Sequence, residues 1–296
     1  MAEDPDDEEE WSVAQNGPSV EQHAERAAGK ARSWIERLAR VGYVAYGMVY
    51  VLVGVLAMQA ALGGGGKPAS QEGALRQVLL APLGRVLLLM VAIGLLAYAA
   101  WRVFQGIMDP EDEGRDAKGL VKRFDHVLNG LFHAALAFSA GQLALGSGGG
   151  DGGSPDDWTA RLFAQPLGRW LAVIAGVVIF CAGLYQFYKA YKADFQEELK
   201  RGEMSVRAKT WATRIGRIGY AARGVVFGVI GVFLIQAALQ TDPDKARGLG
   251  GALQTLARQP FGPYILGAVA LGLVAYGAFM FVMARYRRIE PAQPPR

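Results

Sequence analysis

Cysteine is almost missing: Cys181 is the single thiol in 296 residues, beside only three histidines. One thiol excludes an intramolecular disulfide frame and a thiolate metal cluster. No pair of carboxylates falls inside any long apolar run, and the chain has no HExxH, GxSxG, P-loop or CxxC pattern. Those absences remove the usual residue sets of hydrolytic, metal-dependent and nucleotide-dependent chemistry. The expectation is a protein that is not an enzyme, with no catalytic residue, no cofactor and no bound metal. Transporters driven by protons or sodium commonly keep an acid within the membrane, so coupled transport is disfavoured too. Gly148, Gly150 and Gly153 match GxGxxG in spacing, but no strand precedes them, and they read as a flexible loop.

What the chain has in abundance is apolar length. Six runs, near 41–62, 83–104, 124–145, 167–188, 218–239 and 261–284, are each about 20 residues long, enough to cross a ~30 Å hydrocarbon core as helix. Backbone polar groups find no partner in lipid, so each run is expected to be helical. The acidic N-terminus is not the basic lead of a signal peptide, and the first run is expected to remain as a span. Lys and Arg concentrate before run one, between runs two and three, between runs four and five, and after run six. That bias predicts a bacterial-type cytoplasmic (inner) membrane protein with both termini in the cytoplasm. The formal charge of +4 is then a topology signal, and nucleic acid is not an expected partner. Expected contacts are the lipid bilayer and other membrane proteins.

The runs are copies of one another. Residues 40–62 and 217–239 align without gaps, and about half of the positions are identical: Arg40/Arg217, Gly42/Gly219, Tyr43/Tyr220, Gly47/Gly224, Gly54/Gly231 and Gln59-Ala60-Ala61-Leu62/Gln236-Ala237-Ala238-Leu239. A weaker copy at 123–145 keeps Arg123, Gly130, Gln142 and Leu145. Each copy is followed by a second span that opens Pro82-Leu83-Gly84, Pro166-Leu167-Gly168 or Pro260-Phe261-Gly262. A two-span unit repeated three times, with every unit starting and ending on one side, predicts an all-α integral membrane fold. The six transmembrane helices form three tandem two-helix repeats with pseudo-threefold symmetry. The expected divisions are a disordered acidic tail (1–20), an amphipathic lead-in helix (21–40), repeats at 41–104, 123–188 and 205–284, and a cytoplasmic tail (285–296). The charged loops between spans two and three and between spans four and five read as solvated. Trp34 and Trp211 read as interfacial anchors.

These features resemble the bacterial domain of unknown function 1206 family, described as three repeats of a transmembrane helix pair. The resemblance covers about 35–285. It implies the fold and carries no activity and no functional residues.

Two sets of residues then stand out. Gly47, Gly54, Gly130, Gly224, Gly228 and Gly231 lie at helical spacing on the odd-numbered spans, where small side chains let helices approach closely. They are expected to pack helix on helix. The polar positions inside the spans are Gln59, Gln142 and Gln236, which occupy one place in all three copies, together with Asn129, His133 and Arg223. The three glutamines could face one another across the axis. His133 reads as a hydrogen-bonded interior residue, and Arg223 as a side chain that snorkels to the headgroups. For function, a non-enzymatic membrane scaffold or interaction protein is expected first. A channel or transporter for a small solute or ion along the pseudo-threefold axis is the alternative.

Overall fold

A computed structural model describes residues 20–63, 70–80, 83–109, 114, 116–146, 155–165 and 167–287. The acidic tail and the last nine residues lie outside them. The described body over residues 38–287 is helical: α1 (Val20–Ala61), α2 (Gln71–Leu80), α3 (Gly84–Met108), α4 (Ala117–Leu145), α5 (Pro155–Phe163), α6 (Gly168–Lys192), α7 (Val206–Gln240), α8 (Leu249–Ala257) and α9 (Gly262–Tyr286). Six of these, α1, α3, α4, α6, α7 and α9, are long and apolar enough to span a bilayer. The fold is an all-α multi-pass membrane fold of three two-helix repeats. The lead-in expected at 21–40 is not a separate element: it runs into the first span as one helix. No proline interrupts the junction, and the helix continues through it.

The repeat is visible in three kinds of contact. The first explains the Pro-Leu-Gly motif. Its middle residue is left-handed in every copy, with φ of 61° at Leu83, 64° at Leu167 and 60° at Phe261. This sharp turn drives the following glycine into the short helix before it. A Cβ would sit 2.3 Å from the Leu79 carbonyl oxygen at Gly84, 1.6 Å from that of Leu162 at Gly168 and 1.9 Å from that of Ala257 at Gly262. Only glycine fits, and a bulky residue holds the αL position at a cost of about 1–2 kcal/mol.

The second is an arginine staple between repeats. Arg40 donates from Nη1 to the carbonyls of Ala284 and Arg285, both at 2.7 Å, at the end of α9. Arg123 donates to the carbonyls of Gly106 and Ile107, both at 2.9 Å, at the end of α3. Arg217 donates to the carbonyl of Tyr191 at 3.3 Å, at the end of α6. Each copy of the same arginine therefore caps the second span of the preceding repeat. The last carbonyls of a helix lack internal partners and carry partial negative charge, so a guanidinium satisfies both needs.

The third is glycine packing. A Cβ at Gly47 or Gly54 would strike α9, at Gly130 it would strike α3, and at Gly224 or Gly231 it would strike α6. These five glycines join each odd-numbered span to the repeat before it. Gly228 also lies against α6, since a Cβ at Gly183 would come within 2.8 Å of its backbone nitrogen, but a Cβ at Gly228 itself would meet nothing within 4 Å. Inside the first and third hairpins, Gly42 lies against Tyr98 and Gly219 against Tyr276, while Gly94 lies against Ala45 and Gly272 against Ala222. The second hairpin departs from the pattern. Asp125 stands where the others have glycine, and Val178 and Ala182 replace the Gly94 and Tyr98 positions. Among the described residues α4 packs chiefly on α3 and α6 on α7, so this hairpin is the open one.

Candidate functional site

Three repeat positions on the odd-numbered spans carry the aromatic and polar residues of the bundle interior. Positions 43, 126 and 220 give Tyr43, His126 and Tyr220; positions 46, 129 and 223 give Tyr46, Asn129 and Arg223; positions 50, 133 and 227 give Tyr50, His133 and Phe227. The backbone keeps the threefold plan, and the axial side chains break it.

The middle layers form one aromatic cluster. Tyr46 is fully buried, and its ring centroid lies 4.3 Å from His133, 4.6 Å from Tyr98, 5.0 Å from Tyr50 and 5.9 Å from Tyr276. His133 is buried too, with Nδ1 2.7 Å from the Asn129 carbonyl oxygen. A carbonyl only accepts, so Nδ1 carries the hydrogen, and Nε2 holds the lone pair of the neutral ring. Arg223 is 4% exposed. Its guanidinium carbon lies 4.6 Å from the Tyr276 centroid, 4.8 Å from Phe227 and 5.6 Å from Tyr50, and Nη1 donates to the Tyr276 hydroxyl. Arg223 does not snorkel, since three aromatic faces and a hydroxyl hold it inside the bundle. The Arg223 Nε, the Tyr46 hydroxyl, the Asn129 Oδ1 and the His133 Nε2 are buried without a hydrogen-bond partner.

Toward the end that carries the 193–205 loop, the cluster continues as an ionic group. Arg102 on α3 donates from Nε to the Tyr98 hydroxyl at 2.9 Å and meets His126 Nδ1 at 2.9 Å. Arginine cannot accept, so His126 receives this bond on Nδ1. Arg102 and Arg287 lie 5.9 Å and 5.4 Å from the Tyr43 centroid. Arg287 is fully buried and pairs with Glu198. Burial pushes the Glu198 carboxyl up, but Arg287, Lys189, Arg102 and Lys122 outweigh it and hold it below the usual carboxylate range. The loop expected to be solvated is thus partly inserted: Phe195, Leu199 and Met204 are buried, and Phe195 stacks on Tyr220 at 5.1 Å. Its apolar residues are buried at the bundle end, and Glu198 pairs with Arg287. At the opposite end Leu75, Thr159 and Leu253, one from each short helix, are buried.

The glutamines do not meet. Gln59 and Gln236 are exposed and Gln142 is half-buried. They lie off the axial face, because 59 follows 50 by nine residues, about 180° around a helix. Trp211 is exposed, as an interfacial anchor would be, and the Trp34 side chain lies outside the described residues. Gly-Tyr pairs and Tyr98/Tyr276 stand out in sequence as repeat markers only, although four of those tyrosines build the site. The usable signal was the shared repeat position rather than the identity: Tyr46, Asn129 and Arg223 match one another in the repeat, and Tyr46 and Arg223 both pack on Tyr50 and Tyr276.

The family model described as Domain of Unknown Function (DUF1206) matches residues 41–109, 124–193 and 218–287, one match per repeat. The chain belongs to this family. Within this DUF1206 chain the matches begin after Arg40 and end at Arg287, and so bracket the axial cluster. The chain is also similar to "Uncharacterized protein YxxB" of Bacillus subtilis (strain 168). The two are 36% identical over 260 residues, which cover 88% of this chain and 94% of that protein. No solved structure matches.

Proposed function

We propose that this protein is a non-enzymatic scaffold or interaction protein of the bacterial cytoplasmic membrane, with both termini in the cytoplasm. One observation carries the reading: the axis is filled. Tyr43, Tyr46, Tyr98 and Tyr276 are at most 1% exposed and touch ring to ring. Close-packed aromatic layers leave no continuous path for a solute. The face left for contact is that of the second hairpin, where Ile174, Phe180 and Leu184 are exposed along α6.

The test is capture from membranes in mild detergent, followed by flux measurement in proteoliposomes. The expected result is a membrane protein that copurifies with the native chain and is lost on Phe180→Ala with Leu184→Ala, together with no flux. Flux that drops on Tyr46→Phe would replace this reading with the second one, a channel or transporter for a small solute or ion. That second reading is favoured by one observation, the buried guanidinium of Arg223. Orientation is tested separately with single cysteines at 118 and 245 in a Cys181→Ser background. Labelling from outside at 245 alone is expected.

A further inference from the structure

We propose that the axial layer of Tyr46, Asn129 and Arg223 is a binding site for one small monovalent anion of the halide class. This goes beyond the scaffold reading and does not rest on it, since occupancy requires neither a path nor a partner.

The argument starts from charge. The guanidinium of Arg223 is permanently protonated and nine-tenths buried, yet no carboxylate pairs with it among the described residues. The carboxylate that reaches the neighbouring layers, Glu198, is engaged by Arg287 at the end of the bundle. A buried charge without a counter-charge is strongly disfavoured inside a membrane protein. Aromatic rings soften the cost at the guanidinium faces, where Tyr276, Phe227 and Tyr50 lie, and the Tyr276 hydroxyl accepts one edge hydrogen, from Nη1. On that edge Nε–H is unpaired.

The chemistry of the same layer then selects the ligand. The Tyr46 hydroxyl is a second buried donor without a partner. The Asn129 amide is also free at its buried atom, and its oxygen and nitrogen exchange places by a simple flip, so it can present N–H. Three donors and one positive charge among aromatic rings suit a compact anion that sheds its water. A cation is repelled by Arg223. A divalent oxyanion needs more donors than the layer holds.

The test is a thermal-unfolding series on the full chain in detergent, at constant ionic strength, with sodium gluconate exchanged for chloride, bromide or iodide. Saturating halide at about 100 times its Kd is expected to raise Tm by roughly 5 °C. Tyr46→Phe, which removes one hydroxyl at constant shape, is expected to raise the halide Kd by about tenfold. Arg223→Gln is expected to abolish the response while still folding, because it removes the uncompensated charge. A native protein with the same Tm in gluconate and halide would overturn the proposal in favour of buried water. So would an Arg223→Gln protein that keeps the full halide shift. Partner capture is read independently, so a failed anion site and a failed scaffold reading are told apart.

Discussion

Replacing the stapling arginines one at a time asks whether the three repeats are joined by the same device. Arg40 makes two bonds of 2.7 Å to the last carbonyls of α9, and Arg123 makes two of 2.9 Å to those of α3. A hydrogen bond to a charged group contributes about 1.5–3 kcal/mol when buried. These sites are part-buried to exposed, which lowers the figure, and the helix C-terminus adds about 0.3–1 kcal/mol. Arg40→Met and Arg123→Met are therefore expected to destabilise by about 1.5–3 kcal/mol each. Methionine keeps the apolar stem, so the loss reports the guanidinium. Arg217 is exposed and makes one bond of 3.3 Å, so Arg217→Met should cost under about 1 kcal/mol. Lysine at position 40 restores the charge but not the fork and should recover part of the loss. The assay is reversible unfolding in mixed micelles, with thermal unfolding as a check. Equal losses at all three positions, or none at Arg40, would refute the staple.

Other expectations are as direct. Gly219→Ala places a Cβ 2.6 Å from the Tyr276 Cα, whereas Gly228→Ala meets nothing, so the first should be less stable than the second by about 2–3 kcal/mol in the same unfolding assay. Leu83→Gly relieves a left-handed residue whose side chain is exposed, and should stabilise by up to about 1 kcal/mol. Removing Glu198 from its buried partner by Glu198→Gln should cost about 2–4 kcal/mol at pH 7. Because the native Glu198 value is depressed, its contribution is complete above the ordinary value of 4.5 and is lost as pH falls through the lower native one. The native chain and Glu198→Gln should accordingly converge in Tm at acid pH and diverge toward neutrality.

Most of the architecture was legible in the sequence because it is periodic. Apolar length gave the spans, and the shared Arg, Gly and Pro-Leu-Gly positions gave the repeat. The same positions turn out to be the mechanical joints: staple, close approach and tight turn. The axial site was harder to read because it lies where the copies differ. Asn129, His133 and Arg223 were visible as polar residues in apolar runs, but which of them join the buried aromatic cluster depends on the helix face that each presents to it. Gln59, Gln142 and Gln236 show the limit of identity as a guide. Their shared position is a fact of the repeat, and the face they occupy turns away from the centre. Glu198 and Arg287 were hidden in charged flanks, since a loop that folds back under a bundle carries no periodic signal. The continuity of α1 was hidden for a related reason: a change from mixed to apolar composition does not end a helix unless a breaking residue stands there.

The central claim is that the three hairpins close into a ring, with the first repeat against the last. The contact that closes it is α1 on α9, where a Cβ at Gly277 would touch Val51 and the Val274 side chain fills the space at Gly54. Cysteines at 51 and 274, in a Cys181→Ser chain with a protease site inserted at the exposed Gly202, test it on a gel. The expected result is that a short bifunctional cross-linker keeps the two cleaved halves together as one band. Halves that separate despite full cysteine labelling would contradict the ring.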